Sequence, residues 1–187
     1  MNVAMNRIIL TFLFICSLIL CPISQSESAS KLPKRATNKG TLFQKLEPAD
    51  TGINIVLPIN KNHPLKRVYV SAFACGGVSS GDVDGDGLVD LFIANGPEKN
   101  RLYINKGNFK FDDRTETAKI GGGDAWTGGA PLVDIDGDGD LDLYTCNYGT
   151  PNQLFINNGK GIFAENARQF GLDINGAILM AAFADYD

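Results

Sequence analysis

The sequence repeats itself at a spacing of 52 residues, and this repeat limits the folds open to the chain more than any other feature. Asp82 recurs as Asp134 and Phe111 as Phe163, with no gap between the copies. The same spacing joins Asp90 to Asp142, Asn95 to Asn147, Asn100 to Asn152, Leu102 to Leu154, Asn105 to Asn157 and Gly107 to Gly159. Residues 185 and 187 follow Asp134 and Asp136 after 51 residues and open a third copy. Periods of this length predict a solenoid, a propeller or an array.

Each copy carries the signals of four short β-strands. In the second copy, apolar β-prone stretches lie near Leu132, at 143–145, at 153–156 and from 162, and a predicted turn at Asn147-Tyr148-Gly149 separates two of them. Strands of this length between turn residues favour antiparallel β structure, and four strands in about 40–50 residues match one propeller blade. No segment keeps a helical apolar period for three turns. The sequence therefore predicts an all-β fold, a β-propeller of four-stranded antiparallel blades.

The predicted propeller region is 41–187, with blade units at about 73–120, 125–172 and, as a beginning only, 177–187. About two and a half blades are thus expected, whereas a propeller has about four to eight. We hypothesise that the sequence is part of a longer protein. The alternative is a short chain of which several copies assemble into one ring.

Part of the repeat pattern also occurs near the N-terminus. Residues 43–53 (FQKLEPADTGI) resemble the ends of the other units at 111–120 and 163–172. We predict that this segment forms an outer strand that completes another blade and, in a closed propeller, seals the ring. The alternative is an irregular lead-in.

The two complete copies each contain an Asp-rich loop, at 82–90 (DVDGDGLVD) and at 134–142 (DIDGDGDLD). Carboxylates at loop positions 1, 3, 5 and 9 suit a hard cation, since Ca²⁺ takes six to eight oxygen ligands. Position 7 is expected to give a backbone carbonyl, and the glycines at positions 4 and 6 permit a sharp turn. The predicted Ca²⁺ ligands are Asp82, Asp84, Asp86, Leu88, Asp90, Asp134, Asp136, Asp138, Asp140, Asp142, Asp185 and Asp187.

Charge repulsion supports the calcium prediction. Two like charges about 4 Å apart repel by about 1 kcal/mol in water and by several times more near a protein surface. Four converging carboxylates would therefore oppose folding without a cation. A solvated Asp/Gly turn that binds nothing is the alternative for one loop, but copies in register favour metal. An EF-hand is excluded, because position 12 is Ile93 or Thr145 instead of Glu and the flanks are strands.

These units resemble the FG-GAP/VCBS repeats of integrin-α-type propellers, which carry D-x-D-G-D-G-x-x-D between two strands of a blade. The run Gly-Asp-Val-Asp-Gly-Asp-Gly-Leu-Val-Asp-Leu at 81–91, followed by Asn-Arg-Leu-Tyr-Ile-Asn-Lys-Gly at 100–107, is also similar to the cartilage-acidic-protein and UnbV-like group. The resemblance covers about residues 43–187. It implies a calcium-stabilised, exported propeller used for adhesion or binding.

The first 30 residues predict a secretory signal peptide, because a basic start precedes a short apolar run and small polar residues. A polar linker is predicted at 31–40. We expect a secreted, periplasmic or cell-surface protein with no membrane span after signal removal; lipidation at Cys21 is the alternative, disfavoured by Leu20. Cys75 and Cys146 then remain, either as buried core residues or as a disulfide.

Two classes of function stay open. The first is a binding or adhesion module whose partner is an extracellular protein or glycan, with no catalytic residues. The second is the propeller domain of a carbohydrate-active enzyme, a polysaccharide lyase or hydrolase. The net charge of −4 does not favour nucleic acid as a partner. His63, the only histidine, is interpreted as a loop residue, and Trp126 as a core residue rather than a ligand contact.

Overall fold

The computed structural model describes residues 43–56, 60, 62–70, 76–121, 123 and 125–185. The predicted signal peptide and linker lie outside the described residues. The chain divides into two compact units, Met1–Gln44 and Lys45–Asp187. All strands and helices below belong to the second unit.

The first repeat forms a four-stranded antiparallel sheet. Its strands are β1 (Val78–Gly81), β2 (Asp90–Ile93), β3 (Arg101–Asn105) and β4 (Phe111–Asp113), which lie side by side in chain order. Every strand pairs antiparallel with the next one along the chain. This is the meander predicted for a propeller blade.

The second repeat builds the same meander and adds two strands to it. Its elements are β5 (Trp126–Gly129), β6 (Leu132–Val133), β7 (Asp142–Pro151), β8 (Gln153–Asn157), β9 (Phe163–Glu165) and β10 (Asn175–Ala177). β6, β7, β8 and β9 correspond to β1 to β4, whereas β5 and β10 both pair with the far half of β7. The predicted all-β architecture of four-stranded antiparallel blades is therefore confirmed.

One turn prediction was wrong. Asn147-Tyr148-Gly149 lies inside β7, which continues to Pro151. The strand continues there because β5 and β10 offer partners on both sides: Trp126 and Ala177 both pair with Tyr148. These partners come from distant parts of the sequence, and the local turn residues give no sign of them.

Each sheet is followed by one turn of helix, which the strand pattern did not predict. These helices are α2 (Thr115–Ala118) and α3 (Ala167–Phe170), and α1 (Pro48–Thr51) precedes the first sheet. All three end at a residue with left-handed backbone, Gly52, Lys119 or Gly171.

The prediction of an outer strand at 43–53 was wrong. Residues 43–47 form no strand, and α1 follows them. Pro48 explains part of this result, because proline suits the first helical position and cannot donate to a strand ladder. The similarity to 111–120 and 163–172 is nevertheless structural, since all three segments contain the short helix and its left-handed end.

The main apolar core lies between the two sheets. The first repeat contributes Phe92, Leu102, Ile104 and Ile120, all at most 5% exposed. The second contributes Leu143, Phe155 and Phe163 from its facing side. Because alternate residues of a strand point to opposite faces, Tyr144 and Leu154 face the other way and pack with Ile178 and Phe183.

A buried polar network joins the two repeats beside this core. Asn100 Nδ2 donates to Thr127 Oγ1 at 3.1 Å, and Thr127 Oγ1 donates to Asn147 Oδ1 at 2.9 Å. Asn100 and its repeat equivalent Asn152 each accept a backbone N–H, from Asn95 and Asn147 respectively. Thr127 is fully buried, so water does not reach its partners, and its hydroxyl satisfies the hydrogen-bonding groups of both repeats.

Trp126 and His63 occupy structural positions. Trp126 starts β5, is buried and meets the His63 ring edge-on with 5.2 Å between ring centroids. His63 Nδ1 accepts the Leu65 N–H at 3.1 Å. The interpretation of Trp126 as a core residue and of His63 as a loop residue is in agreement with these contacts.

Replacing Thr127 with valine should destabilise the fold. The change keeps the shape but leaves Asn100 Nδ2 and Asn147 Oδ1 without their buried partner, at a cost of about 1–3 kcal/mol for each such group. Urea unfolding followed by circular dichroism measures the loss. The control is Thr117→Val on the exposed side of α2, for which we expect a change within about 0.5 kcal/mol. Equal stability of the two variants would contradict the linking role.

Cys146 carries a free, fully buried thiol, whereas Cys75 lies outside the described residues. Burial raises the pKa of Cys146 to about 11, against a smaller opposite effect of the Ala181 N–H. Since the thiolate is the reactive form, we expect no alkylation of Cys146 by iodoacetamide at pH 8 in the folded protein and rapid alkylation in urea. Peptide mass spectrometry after each treatment measures this; modification of Cys146 in the folded chain would refute it.

Candidate metal centre

The first Asp-rich loop connects β1 to β2 and is closed by its own first carboxylate. Asp82 Oδ1 accepts the N–H of Gly85 at 2.8 Å, and Asp82 Oδ2 accepts the N–H of Gly87 at 2.8 Å. Gly85 and Gly87 have φ of 75° and 83°. A residue with a Cβ rarely adopts this conformation, so the glycines are required for the loop to close around Asp82.

The second loop, between β6 and β7, repeats this closure. Asp134 Oδ1 accepts from Gly137 N at 2.8 Å and Asp134 Oδ2 from Gly139 N at 3.1 Å. Gly137 and Gly139 again have positive φ. Both copies of the sequence motif thus give one loop geometry.

Three carboxylates converge in each loop. Each residue of the triad offers one oxygen within 4.8 Å of the other two, and the triads are Asp82, Asp84 and Asp86, and Asp134, Asp136 and Asp138. In the first triad, Asp84 Oδ1 is buried and has no hydrogen-bond partner. An orphaned buried carboxylate oxygen is costly unless a cation or a donor meets it, so this triad fits a bound metal ion.

The ninth-position aspartates, Asp90 and Asp142, lie outside the triads and are almost fully buried, at 1% and 0% exposure. Asp90 Oδ2 accepts the Val83 N–H at 3.0 Å, and Asp90 Oδ1 accepts the Asn105 N–H at 2.8 Å. Asp142 makes the same two bonds to Ile135 and Asn157. Each therefore ties the start of its loop to the end of the third strand.

Burial is the main cause that raises the pKa of Asp90 and of Asp142, and the neighbouring carboxylates at loop positions 3 and 5 raise it further. The two backbone N–H donors act in the opposite direction without cancelling the effect. A raised carboxyl pKa means that the folded state loses stability as the pH rises through that pKa. A cation held by the adjacent triad would lower this cost.

The remaining predicted ligands have less defined positions. The N–H of Leu88 donates to Asp86 Oδ1, and that of Asp140 donates to Asp138 Oδ1, which places both residues beside their triads. Asp185 is exposed and belongs to no triad in the described part of the chain, and Asp187 lies outside the described residues.

Two partners of the first loop were not predicted from the sequence. Lys106 Nζ lies 3.9 Å from Asp84 Oδ2, and Asn105 Nδ2 donates to Val89 O at 2.9 Å. The recurrence of asparagine at 105 and 157 was visible in the repeat, but only the structure reveals that both bind the backbone at the end of the loop.

The first loop also contacts the second repeat, which makes the two loops unequal. Asn157 Nδ2 donates to Val83 O at 2.8 Å, and a Cβ added to Gly161 would lie 3.5 Å from Asp84 Cβ. The triad of the second loop is exposed on all three residues. The first loop therefore lies at the joint between repeats.

Within the described residues, no helix is long and apolar enough to cross a membrane.

A protein-family model described as FG-GAP-like repeat matches residues 82–145 and 134–187, which together make up more than half of the chain. No curated protein gives a significant match. The finer resemblance to the cartilage-acidic-protein and UnbV-like group stays a prediction. The family match, the two four-stranded meanders and the repeated Asp loops agree with one another, and the chain belongs to the FG-GAP-like repeat family.

Proposed function

We propose that this protein is an exported, calcium-binding propeller module that serves adhesion or ligand binding, with calcium in a structural role. The observation that carries the proposal is the pair of carboxylate triads, held in the same geometry by two separate loops. Repetition matters here, because an exposed acidic turn without a metal is common but has no reason to recur with the same closure.

Calcium fits these loops better than smaller or softer ions. The available donors are oxygens only, which excludes a preference for Zn²⁺ or Cu⁺. Of the six to eight oxygen ligands that Ca²⁺ takes at about 2.3–2.6 Å, each loop offers five residues: three triad carboxylates, the position-7 carbonyl of Leu88 or Asp140, and Asp90 or Asp142; bidentate carboxylates or water complete the set. Asp90 and Asp142 each accept two hydrogen bonds out of about four lone-pair sites, so each keeps capacity for a metal.

The proposed partner is an extracellular protein or a glycan, and the proposed location is secreted, periplasmic or on the cell surface. FG-GAP-like repeats are typical of extracellular proteins. Calcium sites in extracellular modules have Kd values of about 10⁻⁴–10⁻³ M, so calcium outside the cell is concentrated enough to occupy sites of this kind.

The alternative, a carbohydrate-active enzyme, has less support. This repeat fold is typically non-catalytic, and carboxylates engaged with calcium are not free to act as acid or base. Turnover on a polysaccharide panel would favour the enzyme, whereas saturable glycan or protein binding without turnover would favour the module.

Calcium should stabilise the folded protein and magnesium should do so much less. An ion that binds only the folded loops adds about 2.7 kcal/mol to the free energy of unfolding when its free concentration is about 100 times Kd. Mg²⁺ requires near-ideal octahedral geometry and keeps its waters, so it is the matched control. Urea unfolding in EDTA, CaCl₂ and MgCl₂ measures the difference, and identical curves in EDTA and CaCl₂ would exclude structural calcium.

Two substitutions in the first loop should separate ligation from folding. Asp86→Asn removes a charge from an exposed triad position, so calcium affinity should fall by about tenfold or more while stability in EDTA changes little. Asp90→Asn removes one of two buried acceptors and should cost about 1–3 kcal/mol in EDTA.

Calorimetric titration gives the affinity and urea unfolding in EDTA gives the stability of each variant. Asp112→Asn, an exposed aspartate on β4, is the control for loss of charge alone. If Asp86→Asn binds calcium like the Asp112→Asn control, the first triad is not a calcium site.

A further inference from the structure

A polar pocket lies beside the connection between β7 and β8. Its volume is about 340 Å³, which is within the range of about 300–1,000 Å³ that small-molecule sites occupy. Its lining includes Thr150, Pro151, Gln153, Glu165, Arg168 and Asp173. Hydroxyl, amide, carboxylate and guanidinium groups thus border one small space at the end of the second sheet.

Two buried polar atoms of this pocket lack a partner. Thr150 Oγ1 and Gln153 Oε1 are both shielded from solvent, and neither makes a hydrogen bond within the described part of the chain. Leaving a buried polar atom unpaired is costly, and native structures rarely do so. Two such atoms in the lining of one pocket point to a ligand that pairs with them.

In the first repeat, an ion pair occupies the position of Gln153. Arg101 is the repeat equivalent of Gln153, and its guanidinium lies 3.4 Å from Asp113 Oδ2. Asp113 is in turn the equivalent of Glu165, and in both repeats the other carboxylate oxygen accepts the backbone N–H two residues further on. Glutamine has no charge, so the second oxygen of Glu165 has no such cation beside it and stays available to a ligand.

The first repeat contains a second ion pair that the described residues of the second repeat do not reproduce. Lys99 Nζ lies 3.2 Å from Glu116 Oε1, whereas the equivalent positions hold Pro151 and Arg168. Proline carries no charge, so Arg168 keeps its guanidinium unpaired within the described residues. The charged groups that neutralise each other in the first repeat are therefore free to meet a ligand in the second.

The groups of the pocket suit a ligand with several neutral hydroxyls. Gln153 Oε1 and the Glu165 carboxylate accept hydrogen bonds. The Thr150 hydroxyl and the Arg168 guanidinium can donate them. A sugar hydroxyl does both, so neighbouring hydroxyls of one sugar ring can satisfy donors and acceptors together. The carboxylates of Glu165 and Asp173 outnumber the one guanidinium, and this negative balance disfavours sulfated or uronic sugars.

We propose that the pocket at the end of β7 binds a neutral sugar residue of a glycan, through Thr150, Gln153 and Arg168 among others. The assignment rests on the proposed function in one respect, namely that the module binds an extracellular ligand. It does not rest on calcium, because the second Asp-rich loop precedes the opposite end of β7. The ten residues of that strand, at about 3.3 Å each, put about 30 Å between the loop and the pocket.

Saturation-transfer NMR on the full chain in excess calcium tests the assignment. The probes are the methyl glycosides of glucose, galactose, mannose and N-acetylglucosamine, and methyl glucuronoside is the anionic comparison. At least one neutral glycoside should bind saturably. The glucuronoside should bind at least about tenfold more weakly, because its carboxylate would face Glu165 and Asp173.

Two variants of the chain locate the binding. Gln153→Arg copies the first repeat, places a cation beside Glu165 and should weaken glycoside binding by about tenfold or more. Gln169→Arg makes the same change at an exposed position of α3 that does not line the pocket, and it should bind like the unchanged chain. Thr150→Val removes a hydroxyl that has no protein partner, so it should weaken binding and leave the midpoint of urea unfolding unchanged or higher.

Circular dichroism verifies that each variant remains folded. Absence of binding by all four neutral glycosides, equal binding by the Gln153→Arg and Gln169→Arg chains, or preference for the glucuronoside would overturn the proposal. A lower unfolding midpoint for Thr150→Val would also overturn it, because the hydroxyl would then serve the fold. Failure of structural calcium is a separate result, read from unfolding in EDTA and CaCl₂: calcium stabilisation without glycoside binding would strike the sugar site alone.

Discussion

The structure depends on the burial of apolar blade faces between consecutive repeats. A four-stranded meander of this size has apolar residues on both faces and cannot cover either of them by itself. In this chain, Leu143 and Phe163 of one sheet close the rear face of the other, where Phe92 and Leu102 become inaccessible to solvent. Each buried large side chain of this kind contributes about 1.5–3 kcal/mol relative to an exposed one. Stability is therefore a property of neighbouring repeats, and a single blade has little of its own.

The polar groups of the repeat follow from the same arrangement. Blades that pack closely exclude water from their hairpin ends, so the backbone N–H and C=O groups there need protein partners. Asparagine supplies these partners at recurring positions: Asn100 and Asn152 close the connection after the second strand, and Asn157 reaches the neighbouring repeat. Buried aspartate does the same for the Asp-rich loops, where Asp90 accepts the backbone N–H groups of both Val83 and Asn105. The exposed carboxylates of the loops are therefore held in position by buried aspartate and asparagine side chains.

The strands, their pairing order and the loop geometry could be predicted from the sequence because they are local and occur twice. Alternating apolar residues predicted β1 to β4 and their equivalents in the second repeat. The glycines at 85 and 137 predicted sharp turns in the loops, where the backbone is indeed left-handed. The failures concern contacts between distant segments. The far half of β7 looks like a turn in isolation and becomes a strand because β5 and β10 pair with it. The convergence of the Asp triads was predictable, but the hydrogen bonds that buried Asp90 accepts from Val83 and Asn105 were not, since spacing along the sequence does not show which backbone groups a carboxylate meets.

Because the first acidic loop lies at the boundary between the two repeats, binding there would affect the stability of more of the structure than binding at the second acidic loop. Asp84 lies next to Gly161 of the following repeat, and Val83 is hydrogen-bonded to Asn157 across the boundary. An ion held there would rigidify both repeats, whereas an ion held by the exposed Asp134, Asp136 and Asp138 would act on one. Near-identical motifs in a tandem array thus need not share an affinity. If both loops bind the calcium that we propose, loops of unequal affinity would fill at different ion concentrations, and the rigidity of the repeat array would rise in steps rather than all at once.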